Sequence, residues 1–148
     1  MINIIALASD HVGYTLKLEI IELLKEMELE YKDFGAYDTK SCDYPGYGYT
    51  AATAVASGEC DKGIVICGTG IGISISANKV RGIRCAVCSE PYSAVMSKAH
   101  NDSNMLAMGA RVVGADLAKM IVKQWLLTDF EGGRHLRRVT QIHDIENL

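Results

Sequence analysis

Three glycines within five residues, Gly68, Gly70 and Gly72, follow directly on a short apolar run, Ile64-Val65-Ile66, that ends in Cys67. The run reads as a buried strand. The glycines permit a tight turn in which backbone N–H groups approach a ligand closely. Ile73-Ser74-Ile75-Ser76-Ala77-Asn78-Lys79 then continues as a helix, whose first turn adds unpaired donors and the positive end of its dipole. A strand that feeds a helix through an anion-binding turn belongs to an open α/β sheet, where chemistry sits at the carboxyl ends of the strands. Cys67 takes that position. A tight turn over an inert core cysteine would leave the same string.

Spacing separates the ligands such a turn can hold. The dinucleotide pattern G-x-G-x-x-G needs a third glycine where Ile73 stands, and the Gly-Lys-Ser/Thr of a P-loop is absent. A thiol phosphatase loop would close with an arginine six residues after its cysteine, and that residue is again Ile73. What remains is a thiol beside an amide-lined anion hole, which suits proton transfer next to a developing oxyanion.

The rest of the chain alternates in the same way. Asn3 to Ala8 is an apolar strand, within an apolar start from Ile2, and it ends in Ser9-Asp10-His11-Val12-Gly13. Leu16, Ile20, Leu23, Leu24 and Met27 keep helical spacing. Glu30 to Phe34 is a second strand, stopped by Gly35. Asp38 to Tyr49 reads as a polar, glycine- and tyrosine-rich loop long enough to be functional, with Ala51 to Ser57 a helix of small residues ended by Gly58. Arg84 to Cys88 is a fourth strand; Ser89-Glu90-Pro91 opens a helix that reaches Ala99. Met105 to Met108 is a fifth strand. Asp116 to Leu127 is an amphipathic helix with Leu117, Met120, Ile121, Val122 and Trp125 as its apolar face. After Gly132-Gly133, Arg134 opens a last helix that runs to about Glu146. Apolar strands alternating with helices predict a parallel sheet covered on both faces, a three-layer α/β/α sandwich in one domain.

Composition narrows the function. With 148 residues the chain suits one domain, and with 49 % hydrophobic and 22 % charged residues it is globular rather than disordered. A net charge of −3 gives no electrostatic case for nucleic acid or an anionic membrane. The apolar start lacks a basic leader and is too short to span a bilayer, which points to the cytoplasm. The five cysteines are odd in number and fit no disulfide framework. Cys85-Ala86-Val87-Cys88 matches C-x-x-C, but inside an expected strand rather than at a helix start. No second C-x-x-C and no H-x-x-x-H accompanies it, so a zinc site is not expected.

Asp10 and His11 stand at a strand's carboxyl end, where a ligand would meet them, although Asp10 in that place can simply cap the next helix. Tyr44 can cover a ligand or merely pack. His100 alone suits a helix C-terminus. Arg134 and Arg138 share a helix face beside His135, as a phosphate clamp or as a solvated basic face. Thiol, imidazole, carboxylate and paired arginines together suggest acid–base chemistry on a phosphorylated metabolite. The residues alone do not name the reaction.

Ser9-Asp10-His11-Val12-Gly13, Asp43-Tyr44-Pro45, Cys67-Gly68-Thr69-Gly70-Ile71-Gly72, Ser89-Glu90-Pro91-Tyr92-Ser93-Ala94, His100-Asn101-Asp102 and Glu131-Gly132-Gly133-Arg134-His135 occur here in the order found in the type B ribose-5-phosphate isomerases, which the chain resembles over nearly its whole length. These belong to a wider family with allose-6-phosphate and galactose-6-phosphate isomerases. The resemblance implies a five-stranded parallel sheet and a homodimer, or a dimer of dimers, with active sites at the interface. It implies interconversion of ribose 5-phosphate and ribulose 5-phosphate without metal or organic cofactor. Cys67 would then be the base between C1 and C2, and Thr69 would orient the thiol or the sugar. His100 would open the furanose ring, and Asp10 would act on the sugar hydroxyls. The amides of Gly68, Thr69, Gly70, Ile71 and Gly72, with Asn101, would hold the enediolate. His11, Arg111, Arg134 and Arg138 would surround the phosphate, and Tyr44 would line the pocket. Ser74, Ile75 and Ser76 stand where some relatives carry a glutamate base, so the chain falls in the thiol branch. The remaining alternatives are a six-carbon phosphosugar such as allose 6-phosphate, and a non-catalytic sugar-phosphate sensor.

Overall fold

Five short strands, each followed by a helix, and one further helix account for most of the chain. The computed structural model describes residues 3–148, so the Ile2 of the first apolar run lies outside the described residues. The strands are β1 (Ile4–Ser9), β2 (Glu30–Asp33), β3 (Lys62–Cys67), β4 (Cys85–Val87) and β5 (Met105–Gly109). The helices are α1 (Tyr14–Glu26), α2 (Tyr44–Ala56), α3 (Ile71–Asn78), α4 (Pro91–Ala99), α5 (Ala115–Leu127) and α6 (Arg134–Ile145). The sheet is parallel throughout, in the order β2-β1-β3-β5-β4.

The two buried clusters show why both faces must be covered. Alternate residues of one strand enter different clusters: Ile5 and Leu7 join α1 and α5 on one face, while Ala6 and Ala8 join α2 and α3 on the other. The second face is built largely from alanines, so α2 and α3 pack close to the sheet. β2 lies on one side of β1 and β3 on the other, so the strand order reverses there and leaves a crevice between the carboxyl ends of β1 and β3.

Two expectations need correction. Tyr44 to Tyr49 is not loop: Asp43 is the N-cap and Pro45 lies in the first turn of α2, which extends from Tyr44. Proline is compatible with a first turn because the N–H it lacks would have no helical partner there. On α5 the buried face is Ala118, Ile121, Val122 and Trp125, whereas Leu117 and Met120 face outward. The other element ends agree with the pattern to within a few residues. Of the C-x-x-C pair, Cys85 opens β4 and Cys88 follows directly after its end, and the two thiols fall in opposite clusters. Burial pushes the two thiols up to about 12 and about 11, so neither offers a ready thiolate.

Three buried polar groups fix the layers. Lys17 is fully buried on α1, pairs with Asp33 at 2.6 Å and donates to the carbonyl of Ala36, which ties the end of β2 to the first helix. Lys17→Met leaves Asp33 without its cation. Asp33 is partly solvated, so the expected loss is about 2–3 kcal/mol rather than that of a fully buried pair, read as a lower urea midpoint. Trp125, the sole tryptophan, is fully buried and donates to Ser103 Oγ at 2.9 Å, which in turn meets Ser97 Oγ at 2.8 Å. Lys98 lies over the Trp125 ring and donates to its carbonyl.

Burial pulls the Lys98 ammonium down to about 8, helped by Lys62 and opposed by Asp102 and Asp129. An unfolded lysine titrates near ~10.4. Between those values the unfolded chain holds a proton that the folded chain has released, so stability rises with pH there. The expected result is a Lys98→Met variant whose unfolding free energy lacks this rise, checked by urea titrations of both proteins at about pH 7 and about pH 10.5.

Candidate active site

The crevice between β1 and β3 gathers most of the expected site. Asp10, next after β1, is almost fully buried; its backbone N–H donates to Ile66 of β3, and its Oδ1 accepts from the Gly13 N–H at 2.9 Å. One carboxylate oxygen therefore does serve the start of α1. A side chain on Gly13 would stand 2.5 Å from the Ile66 carbonyl oxygen, so only glycine lets α1 begin this close to β3.

Cys67 ends β3 and is 4 % exposed. Its Sγ accepts the N–H of Gly70 at 3.2 Å. Gly70 has φ +80°, and a Cβ there would meet the Met108 backbone at 2.6 Å. Gly109 in turn lies against the Thr69 backbone, where a Cβ would stand at 2.5 Å. The turn is thus pressed onto the end of β5, which fixes the N–H on the thiol. The Ile71 N–H is held by Thr69 Oγ1 at 3.2 Å, so two of the five loop amides already have partners within the loop. The Tyr44 ring occupies the space where a Gly72 side chain would be. Arg111, whose N–H donates to the Gly68 carbonyl, brings its guanidinium over Gly68. His11 Nδ1 accepts the Cys42 N–H at 3.2 Å, which leaves the proton of the neutral ring on Nε2.

A cleft of about 310 Å³ opens on this edge, lined by Thr69, Ile71, Val87, Cys88, Ser89, Gly109 and Val112. Ile71, Val87 and Val112 are exposed apolar side chains along it.

The other expected residues lie elsewhere. His100 follows α4, and the carbonyls of Asn101 and Asp102 accept from Arg84, just ahead of β4. This is the amino edge of the sheet. Gly63 pairs with Met105 at that edge, and Cys67 with Gly109 at the other. Four residues of strand span ~13 Å, so one chain does not bring His100 to Cys67. Arg134 and Arg138, at the start of α6, stand beside His135 at this same edge. The α6 helix is held along the amino edge, its Glu146 carbonyl bonded by Arg81 and its His143 by Arg84.

The amino edge also carries two residues outside the expected set. The His135 ring stacks on His100, with centroids 4.1 Å apart and planes 8° from parallel. Glu131 reaches both rings, its oxygens 3.7 Å from His100 Nε2 and 3.6 Å from His135 Nε2. Burial, then the neighbouring charges of His100 and Arg134, lowers the His135 pKa. The four-residue spacing of Glu131 and His135 is the trace of this contact in the sequence.

A parallel α/β/α sandwich with a thiol and a carboxylate at adjacent strand ends defines a sheet-edge enzyme site. The sequence profile described as Ribose/Galactose Isomerase matches residues 5–142. Ribose-5-phosphate isomerase B of Escherichia coli is 57 % identical over 142 residues, covering 96 % of this chain and 95 % of that protein. D-erythrulose-4-phosphate isomerase of Pectobacterium atrosepticum is 41 % identical over 140 residues, covering 93 % and 91 %. Among solved structures, that of Clostridium thermocellum ribose-5-phosphate isomerase B matches with a TM-score of 0.96 at 58 % identity, covering 97 % of each chain. The chain belongs to the ribose/galactose isomerase family.

Proposed function

We propose that the chain interconverts ribose 5-phosphate and ribulose 5-phosphate through an enediolate, with Cys67 as base. The family and the high identity to ribose-5-phosphate isomerase B support the reaction. The observation that carries the mechanism is the Gly70 N–H aimed at Cys67 Sγ at the head of an anion-binding turn. The donor and the start of α3 favour negative charge on sulfur and on a nearby oxygen.

The Cys67 thiolate takes the proton from C2 of the open-chain aldose. The C–H electron pair forms the C1–C2 double bond, and the carbonyl pair moves to O1. Loop amides not already engaged by Cys67 and Thr69, with Asn101, hold that oxyanion. Asp10 relays the hydroxyl proton from O2 to O1, and the thiol returns its proton to C1, leaving the ketone at C2. Thr69 keeps the turn in shape through the Ile71 N–H. Tyr44, lying on Gly72, walls the pocket. His11 offers its Nε2 proton to the phosphate beside Arg111. His100 opens the furanose ring, and Arg134 and Arg138 complete the phosphate clamp.

These last three, and Asn101 beside His100, lie at the opposite sheet edge from Cys67, so a second copy of the chain supplies them. A homodimer, alone or paired into a dimer of dimers, would place the amino edge and α6 of one copy over the cleft of the other. The exposed Ile71, Val87 and Val112 are what such a partner would cover. The five free cysteines fit a reducing cytoplasm. Among the described residues no helix is long and apolar enough to cross a membrane.

The test is proton NMR of ribose 5-phosphate in heavy water, with the wild-type chain beside Cys67→Ala. The expected result is ribulose 5-phosphate carrying deuterium next to the carbonyl, and at least a ~10³-fold slower reaction in the variant. Undiminished exchange in Cys67→Ala would remove Cys67 from the mechanism. Allose 6-phosphate and erythrulose 4-phosphate belong in the same panel, because the 41 % identical relative is named for a four-carbon substrate. Preference for either would reassign the substrate, and phosphosugar binding without turnover of any would indicate a sensor.

A further inference from the structure

We propose that His100, Glu131 and His135 form a divalent transition-metal site, and that zinc bound there withdraws His100 from the reaction. The consequence for turnover rests on the isomerase mechanism above; the metal site does not. One ligand atom from each of the three residues falls within 4.8 Å of the others. The carboxylate oxygens lie 3.7 and 3.6 Å from the two Nε2 atoms. Both gaps are too long for hydrogen bonds. They are close to the ~3.3–3.5 Å between neighbouring ligand atoms of a tetrahedral zinc ion bound at ~2.0–2.2 Å. Drawing the full 4.8 Å spread onto one ion takes a move of about 1 Å, which the partly exposed His100 and the exposed Glu131 side chains have room to make.

The donor set is chemically suited to the ion. Two imidazoles and one carboxylate are a recurrent ligand set for zinc and its neighbours, and three protein ligands leave a fourth position open. The two rings stack within 8° of parallel, so their in-plane Nε2 lone pairs run side by side, and the more exposed His100 ring has to turn for both to face one ion. His135 is buried and held in place, whereas the Glu131 side chain is 56 % exposed and free to adjust. Arg134 and Arg138 oppose a bare cation but favour an anion, such as phosphate or chloride, in the open position. The site is therefore expected to bind metal more weakly than a closed structural zinc centre, and more tightly when phosphate is present. A search for H-x-x-x-H passes over it because the histidines are far apart in sequence. The metal is a reversible inhibitor here, since an ion on His100 Nε2 holds the ring against Glu131 and His135 and away from the sugar.

The experiment is a cobalt titration of the full-length chain after treatment with EDTA, followed by absorption spectroscopy. The expected result is about one equivalent per chain, with visible bands of nitrogen and oxygen ligation and no thiolate-to-cobalt band in the near ultraviolet. Glu131→Gln alters an exposed side chain and should fold normally. It should weaken binding at least ~100-fold, as should His135→Asn. Zinc should inhibit the wild-type isomerase, EDTA should restore it, and the ratio of activities with and without zinc should return to near one in Glu131→Gln. Unchanged cobalt affinity in both variants, a strong thiolate band, or no binding would each overturn the site. Because cobalt is read by its spectrum, the site stands or falls separately from the isomerase activity.

Discussion

Mixing two inactive variants, Cys67→Ala and His100→Asn, and letting them exchange subunits should restore about a quarter of wild-type activity. Under the proposed mechanism each variant alone lacks one essential group in every site. In a mixed dimer one site receives both defects, and the other receives the intact Cys67 of one chain and the intact His100 of the other. Random exchange makes about half of the dimers mixed, and each of these has one working site of two. The structural reason is that Cys67 pairs with the end of β5 while His100 precedes its start, a sheet's length away. Steady-state assays before and after exchange decide the point. No recovery, with exchange verified by mass spectrometry, would mean that each site is built within one chain by a rearrangement of α4 and α6.

The second large effect is expected from Gly70→Ala. An alanine at φ +80° is strained by ~1–2 kcal/mol. Its Cβ would also stand 2.6 Å from the Met108 carbonyl carbon and 2.9 Å from the carbonyl oxygen, all backbone atoms of a buried strand. Neither side can yield cheaply. A total loss near ~3 kcal/mol is expected, lowering Tm by about 10 °C. The turn must also pull away from Met108, which takes the Gly70 N–H off Cys67 Sγ, so kcat/KM should fall at least ~100-fold. Gly46→Ala is the contrast. Gly46 lies in α2 with nothing within 4 Å of a new Cβ and no positive φ. It should be stabilised by ~0.5–1 kcal/mol. Thermal and urea denaturation of the two variants would check both signs; a Gly70→Ala protein as active as wild type would show that the Sγ contact is dispensable.

Much of this was legible in the sequence because hydrophobic periodicity and glycine placement are local signals. The strand ending at Cys67, the glycine turn and the placement of Asp10 at a strand's end follow from them directly. The start of α2 was hidden because Tyr44-Pro45-Gly46-Tyr47-Gly48 has poor helix propensity; the proline falls in the first turn, where it is tolerated. Leu117 and Met120 fit a helical apolar face by spacing, yet α5 turns Ala118, Ile121, Val122 and Trp125 inward, toward α1 and α4, and leaves those two outside. The separation of His100 from Cys67 is a matter of direction. A helix after a parallel strand runs back toward the amino edge, so a residue at the end of α4 cannot be beside one at the end of β3. Glu131 and His135 escaped because the contact that defines them is with His100, far away in sequence.

The Trp125 arrangement gives the molecule an internal optical reporter. The sole indole is buried and bonded to Ser103, itself bonded to Ser97, and both serines lie three residues from His100. Lys98 rests on the indole face. Any event that moves the end of α4, whether subunit docking, sugar binding or metal capture, changes the hydrogen bond and the nearby charge seen by that ring. Its emission would follow such events in the unmodified chain, without an attached dye.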